Sequence, residues 1–351
     1  MNSKTFQWAN KLANTLKPKD TFEKKIGKNG KAEFGVTSNS VSAGGKYTTH
    51  KGNQDTTYSG KIKAQKGDGK TTVSLTGGKM KTINHGPAYI KKGQEHEISG
   101  SRINDGKKKG YEGSYTKRQI SGNGYKVGKS EYSNTNTRER KFTGGYTKSN
   151  DGRKGIHGGY EDTKTNKKSI KAGGKEISRS DYNTRSYSGE GGVKKTSNGY
   201  KVDGSLTKKD IKGRKYQIGK GSYTHEKEKG TIVKGEGNIG RHGGNLRGSV
   251  ENYDKTTHKV GYGEFKGEVS KKNYQKAEGN VGFKSKNGVT TAKAGASYAT
   301  GTQYTGKLGN MKVTGGKEDK ISAKVGARIT KNIVKANAQI KDSHRYSVVP
   351  K

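Results

Sequence analysis

The sequence predicts a mostly β protein. We read a long antiparallel up-and-down meander of about 18–20 strands, forming a curved sheet, a sandwich or a barrel-like body, preceded by one short N-terminal helix. Three observations predict it. Turn signals recur along the chain, among them Gly67-Asp68-Gly69, Asn104-Asp105-Gly106, Asn123-Gly124, Asn150-Asp151-Gly152, Ser197-Asn198-Gly199 and Asn287-Gly288, and Asn-Gly and Asp-Gly suit tight hairpins because both residues tolerate positive φ. Composition favours strands and turns, with 56 Gly, 20 Tyr and only 3 Pro. Near the C-terminus Ile321, Ala323, Val325, Ala327 and Ile329 alternate with polar residues, and Val334, Ala336, Ala338 and Ile340 repeat the pattern, as in a half-buried hairpin.

Taken in order, residues 1–17 read as an amphipathic helix. Phe6, Leu12 and Leu16 recur at helical spacing beside Trp8, and Pro18 stops the run. This face is expected to dock on the protein itself or on a partner. Residues 18–31 read as a linker and 32–351 as one repetitive β-meander domain. Weaker polar turns are expected at Asn134-Thr135-Asn136, Thr163 to Lys168, Lys208-Lys209-Asp210, His225 to Gly230, Tyr253 to Thr257 and Lys271-Lys272-Asn273, which implies strands of roughly 9–12 residues. Most of the expected strands carry Gly or Ala at mid-length, including Gly144, Gly158, Gly235, Gly279 and Gly295. Repeated across neighbours, they would draw a Gly seam over the sheet.

Charge dominates the functional reading. The 73 Lys and Arg against 30 Asp and Glu give a net charge of +43, and only 25% of residues are hydrophobic. That excess far surpasses the magnitude of about 2–8 that keeps a small domain soluble, so an acidic partner is expected. The basic clusters are Lys107, Lys108 and Lys109; Lys117 and Arg118; Arg138 and Arg140; Lys167 and Lys168; Lys194 and Lys195; Lys208 and Lys209; Lys271 and Lys272. We take them as candidate polyanion-binding residues. Lys prevails over Arg, which disfavours reading of base edges.

Catalysis is not expected. Gly235-Glu236-Gly237-Asn238-Ile239-Gly240 fits the dinucleotide fingerprint, but no helix signal follows and Glu236 would repel a phosphate. The eight His are scattered without ligand spacing, and Cys is absent. No metal and no cofactor are expected.

The expected function is therefore a non-enzymatic structural or assembly protein: a self-associating scaffold, coat, cement or matrix component, of a virion or other large particle, presenting a Lys-rich β surface to an acidic protein, nucleic acid or other polyanion. The alternative is a sequence-nonspecific nucleic-acid-binding or condensing protein. A third reading is a β-barrel pore. It ranks last because no lipid-facing band is visible along the sequence, Arg138 to Ser149 offering only Phe142 and Tyr146. Integral membrane insertion is accordingly not expected. With neither a signal-peptide pattern nor a run of about 18 apolar residues, synthesis inside the cell is expected, and the compartment stays open.

Overall fold

The computed structural model describes residues 20–350 apart from 38, 68, 174, 198, 241, 263, 287, 288, 310 and 331–333. The helix expected at 1–17, with Phe6, Trp8, Leu12 and Leu16, lies outside the described residues. All the described secondary structure is strand, in 17 elements.

Two units divide the chain. Residues 1–150 and 156–180 form one, and 151–155 and 181–351 the other. The first holds β1 (Asp20–Ile26), β2 (Gly30–Thr37), β3 (Ser40–Lys51), β4 (Gln54–Gly67), β5 (Lys70–His85), β6 (Ala88–Asn104), β7 (Lys108–Val127), β8 (Ser130–Ser149), most of β9 (Lys154–Ala172) and the start of β10 (Lys175–Thr196). The second holds the rest of β10, then β11 (Gly199–Ile218), β12 (Gly221–Gly240), β13 (Gly243–Tyr262), β14 (Phe265–Lys286), β15 (Val289–Leu308), β16 (Met311–Ile329) and β17 (Val334–Pro350). Within each unit the sheet is an antiparallel meander. β1 to β8 pair in sequence order with unbroken register, and so do β11 to β17.

The expected up-and-down meander is present, with 17 described strands. Three finer expectations change. The later strands run to 22 residues. They are long because the polar segments read as turns at 134–136, 163–168, 208–210, 225–230, 253–257 and 271–273 lie inside β8, β9, β11, β12, β13 and β14. Polarity marks a turn only where the alternative is burial, and here mid-strand residues meet water. Asn123-Gly124 is likewise inside β7, where Gly124 is needed because a Cβ would overlap the Tyr89 ring. Residues 20–26, read as linker, form β1, whose backbone pairs with β2 from Asp20↔Val36 to Ile26↔Gly30.

Where the chain does turn, glycine supplies the geometry. Gly69 takes φ 68° between β4 and β5, a conformation that costs other residues about 1–2 kcal/mol.

The core is sparse. Among the described residues the buried hydrophobic side chains are Val36, Val41, Val73, Ile103, Tyr253 and Ala299. The chain exposes 23873 Å², against about 14,000 Å² for a compact monomer of this mass. Both faces of the sheet in each unit are therefore largely open, and backbone pairing with same-face side-chain contacts holds the strands together.

Candidate functional site: two unlike faces of one sheet

Side chains alternate along a strand, so the register assigns each to one of two faces. Every exposed large hydrophobic side chain among the described residues falls on the same face of its unit. Contacts extend this to β9 and β10: Tyr160 packs on Phe142 at 4.9 Å between ring centroids, and a Cβ at Gly189 would meet Leu206.

On that apolar face the second unit carries four successive transverse rows. One runs Tyr200, Ile239, Gly244, Phe283, Ala292, Ala327, Ala336. The next runs Val202, Gly237, Leu246, Val281, Ala294, Val325, Ala338. Then come Gly204, Gly235, Gly248, Gly279, Ala296, Ala323, Ile340, and finally Leu206, Val233, Val250, Ala277, Tyr298, Ile321, Asp342. Asp342, at the β17 end of the fourth row, is the one charged position in these rows, in a chain with 29% charged residues. The third row is the Gly seam, with Gly235 and Gly279 joined by Gly204 and Gly248. The strands pass through it without a break.

The first unit repeats the device in two rows. Val36, Val41, Ala64, Val73, Gly100, Gly113 and Gly144 form one; Phe34, Ala43, Ile62, Leu75, Ile98, Tyr115 and Phe142 form the other. Beyond the apolar rows the same face turns polar. In the first unit Arg138 Nη2 lies 2.6 Å from Asp162, with Arg140 at 3.9 Å. In the second, Lys229 lies 3.6 Å from Asp254 and His344 2.7 Å from Asp319. The hydrogen bond from His344 to Asp319 raises the His344 pKa.

The opposite face is mostly polar, with Ile103, Ile120, Ile211, Ile232 and Ala299 among its apolar positions, and is tied by a recurring three-part contact. A Tyr ring lies over a Gly on the neighbouring strand and donates its hydroxyl to a Glu. Tyr89 covers Gly124 and bonds Glu131 at 2.6 Å; Tyr182 covers Gly213 and bonds Glu226 at 2.5 Å; Tyr253 covers Gly230 and bonds Glu228 at 2.5 Å; Tyr274 covers Gly301 and bonds Glu318 at 2.5 Å. Burial, with the adjacent carboxylate, pushes the Tyr89 pKa up to about 12 and raises those of Tyr182, Tyr253 and Tyr274. Burial works against the charge of Glu226, but Lys259 and the Tyr182 hydroxyl outweigh it and hold its pKa below the usual range.

The predicted basic clusters do not make one surface. Adjacent residues in a strand point to opposite faces, so Lys108 and Lys109, Lys117 and Arg118, Lys167 and Lys168, Lys194 and Lys195, Lys208 and Lys209, and Lys271 and Lys272 are each divided. Lys107 lies in the turn before β7, its backbone N–H donating to Asp105 at 3.0 Å. Many of the remainder are neutralised. Arg118 bonds Glu139 and Glu95, Lys167 bonds Glu176, Lys194 bonds Asp151, Lys209 lies 3.4 Å from Glu228, and Lys272 bonds Glu251. Lys117, Lys168, Lys195, Lys208 and Lys271, all on the apolar side, form no ion pair with a described residue. Among the described residues no group of His, Asp or Glu could hold a metal ion, and no helix is long and apolar enough to cross a membrane. The apolar rows escaped sequence reading because each strand contributes only a few alternating positions. The cross-strand register aligns them.

No family model matches the chain, and no curated protein matches it. Among solved structures it is similar to BauA, the ferric preacinetobactin receptor from Acinetobacter baumannii, at 8% identity and TM-score 0.29, covering 93% of this chain and 80% of that one. At that TM-score the likeness bears on neither fold nor function.

Proposed function

We propose that the chain is a membrane-spanning β protein of the barrel type, its Gly- and Ala-rich rows set in hydrocarbon and its charged face turned to water. One observation carries this reading: the alignment of apolar rows, charged only at Asp342 on β17, on a single face, opposite a face rich in ion pairs. A sheet in water hides its apolar face, whereas a sheet in lipid turns it outward. On β16 the stretch from Ile321 to Ile329 extends about 27 Å at ~3.4 Å per residue. Tilted by about 40°, it covers about 21 Å, near the ~25 Å apolar band of such proteins. Tyr200 and Tyr298 stand in the two outer rows, where amphipathic rings suit a membrane interface. Hydrocarbon tolerates no unpaired backbone, so the proposal requires closed sheet edges, within one chain or between copies.

This departs from the expectation of no membrane insertion, which rested on β8, among the strands with the thinnest apolar stretch. The test is flotation of purified protein with phospholipid vesicles, followed by alkaline carbonate extraction. Retention in the vesicle pellet is expected. A monodisperse protein in detergent-free buffer that stays off the vesicles would overturn the proposal.

A scaffold reading has support of its own in the unpaired Lys117, Lys168, Lys195, Lys208 and Lys271. They would let the polar part of the apolar face meet an acidic protein. Pull-down of a defined acidic protein, lost when these five become Gln, tests it; unchanged capture rejects it.

A further inference from the structure

We propose that the charged face of the second unit holds a linear phosphate chain in a groove across β11 to β16. The groove has a volume of about 770 Å³. Its floor is made of short side chains, including Asn238, Asn245, Asn280, Ser297 and Ser322, with Gly295. Lys201 borders it on β11, and Lys293 and Lys324 border it on β15 and β16.

Register fixes the spacing. Lys201 faces Asn238, Asn238 faces Asn245, Asn245 faces Gly282, and Gly282 faces Lys293. Four strand steps of about 4.8 Å place the two Lys positions ~19 Å apart across the sheet. Lys324 faces Gly295, two residues along β15 from Lys293. Between these ends the long side chains that line the groove are Glu236, Arg247 and Glu278, which are held in ion pairs.

Charge balance then selects the ligand. Glu236 and Glu278 also line the groove, but both are engaged. Glu278 bonds Lys276 and lies 3.4 Å from Arg247 and 3.9 Å from Lys320; Glu236 lies 3.8 Å from Arg247. Lys201, Lys293 and Lys324 form no ion pair with a described carboxylate, so unpaired positive charge sits at both ends of the groove, on either side of the mutually paired Glu236, Arg247 and Glu278. A single small anion reaches only one end. A chain of phosphates reaches both, with the Asn amides of the floor available as donors to its oxygens. Lys acts as a point charge and suits phosphate without demanding a fixed fork geometry. The inference uses the face that the proposed function turns to water, but binding needs only that this face be wet.

The experiment is calorimetric titration of the full chain, in detergent and in plain buffer, with linear polyphosphate, tripolyphosphate and oligothymidylate. The first and last separate free polyphosphate from a nucleic-acid backbone as the source of the phosphate chain. Long chains should bind at least about tenfold more tightly than tripolyphosphate. The K201Q/K293Q/K324Q variant should lose at least about tenfold in affinity, and the slope of log affinity against log salt should fall by about 2, at ~0.7 per lost contact. K266Q/K307Q/K312Q removes the same charge from the far end of the same face and should change affinity less than about twofold. Circular dichroism verifies that both variants are folded. Equal losses in the two variants, no preference for long chains, or no binding by the unaltered protein overturns the proposal. If vesicle flotation fails while this binding persists, the membrane reading falls alone.

Discussion

Val325 occupies the centre of the apolar stretch on β16, between Ala294 and Ala338 in its row, and is 55% exposed. Replacing it with Lys separates the two environments available to this face. Val325 stands four residue steps from either end of the Ile321–Ile329 stretch, about 14 Å along the strand and roughly 10 Å of depth after tilting. That puts position 325 near a bilayer midplane, where a Lys on the lipid side costs about 2–4 kcal/mol. In water a half-exposed strand position loses about 0.5 kcal/mol or less on such a change. Thr300→Lys is the internal control. It lies on the same face, beyond the apolar rows and opposite Asp319, so its added charge meets a carboxylate and should change stability by less than about 0.5 kcal/mol. The assay is urea unfolding in phospholipid vesicles followed by circular dichroism. We expect Val325→Lys to shift the folding equilibrium by roughly 30- to 700-fold against Thr300→Lys, at 1.4 kcal/mol per factor of ten. Equal and small effects would refute the placement of this face in lipid.

Other outcomes follow from the polar face. Tyr253→Phe removes the hydroxyl that Glu228 accepts from and should cost about 1–2 kcal/mol in urea unfolding. Gly230→Ala forces a Cβ into the Tyr253 ring and should cost about 1–3 kcal/mol; the double variant should cost less than the sum, because both changes break one contact. Glu226 has a depressed pKa in the folded state, so its contribution is present above its ordinary range and is lost as pH falls through the folded value. Lys259→Met should raise that value, read by carboxyl NMR titration. His344 is the opposite case: its raised pKa stabilises the fold at low pH, fully below its unfolded value, and the contribution disappears as pH rises through the folded value. Asp319→Asn should lower the His344 pKa in an imidazole NMR titration.

Much was legible in the sequence. Alternation at Ile321 to Ile329 and Ala336 to Ile340 announced β16 and β17 because a strand's period of two needs only neighbouring residues to be seen. Asn104-Asp105-Gly106 and Asn150-Asp151-Gly152 announced turns because positive φ is a property of Gly itself, taken up at Gly106 and Gly152. Lys208-Lys209-Asp210 misled, since a polar triplet looks alike in a turn and in a strand with water on both sides.

The sequence by itself determined the β class, the meander, the hairpin ends and the great positive charge, all of which depend on residues close together in the chain. Only tertiary structure decided which face each side chain takes beside its neighbours. Val202 and Val325 stand 123 positions apart, and five unbroken strand pairings place them in one uncharged row. The same pairing divides Lys208 from Lys209 and Lys271 from Lys272. A shift of one residue in register would reverse every one of these assignments, and short-range sequence patterns leave that register open.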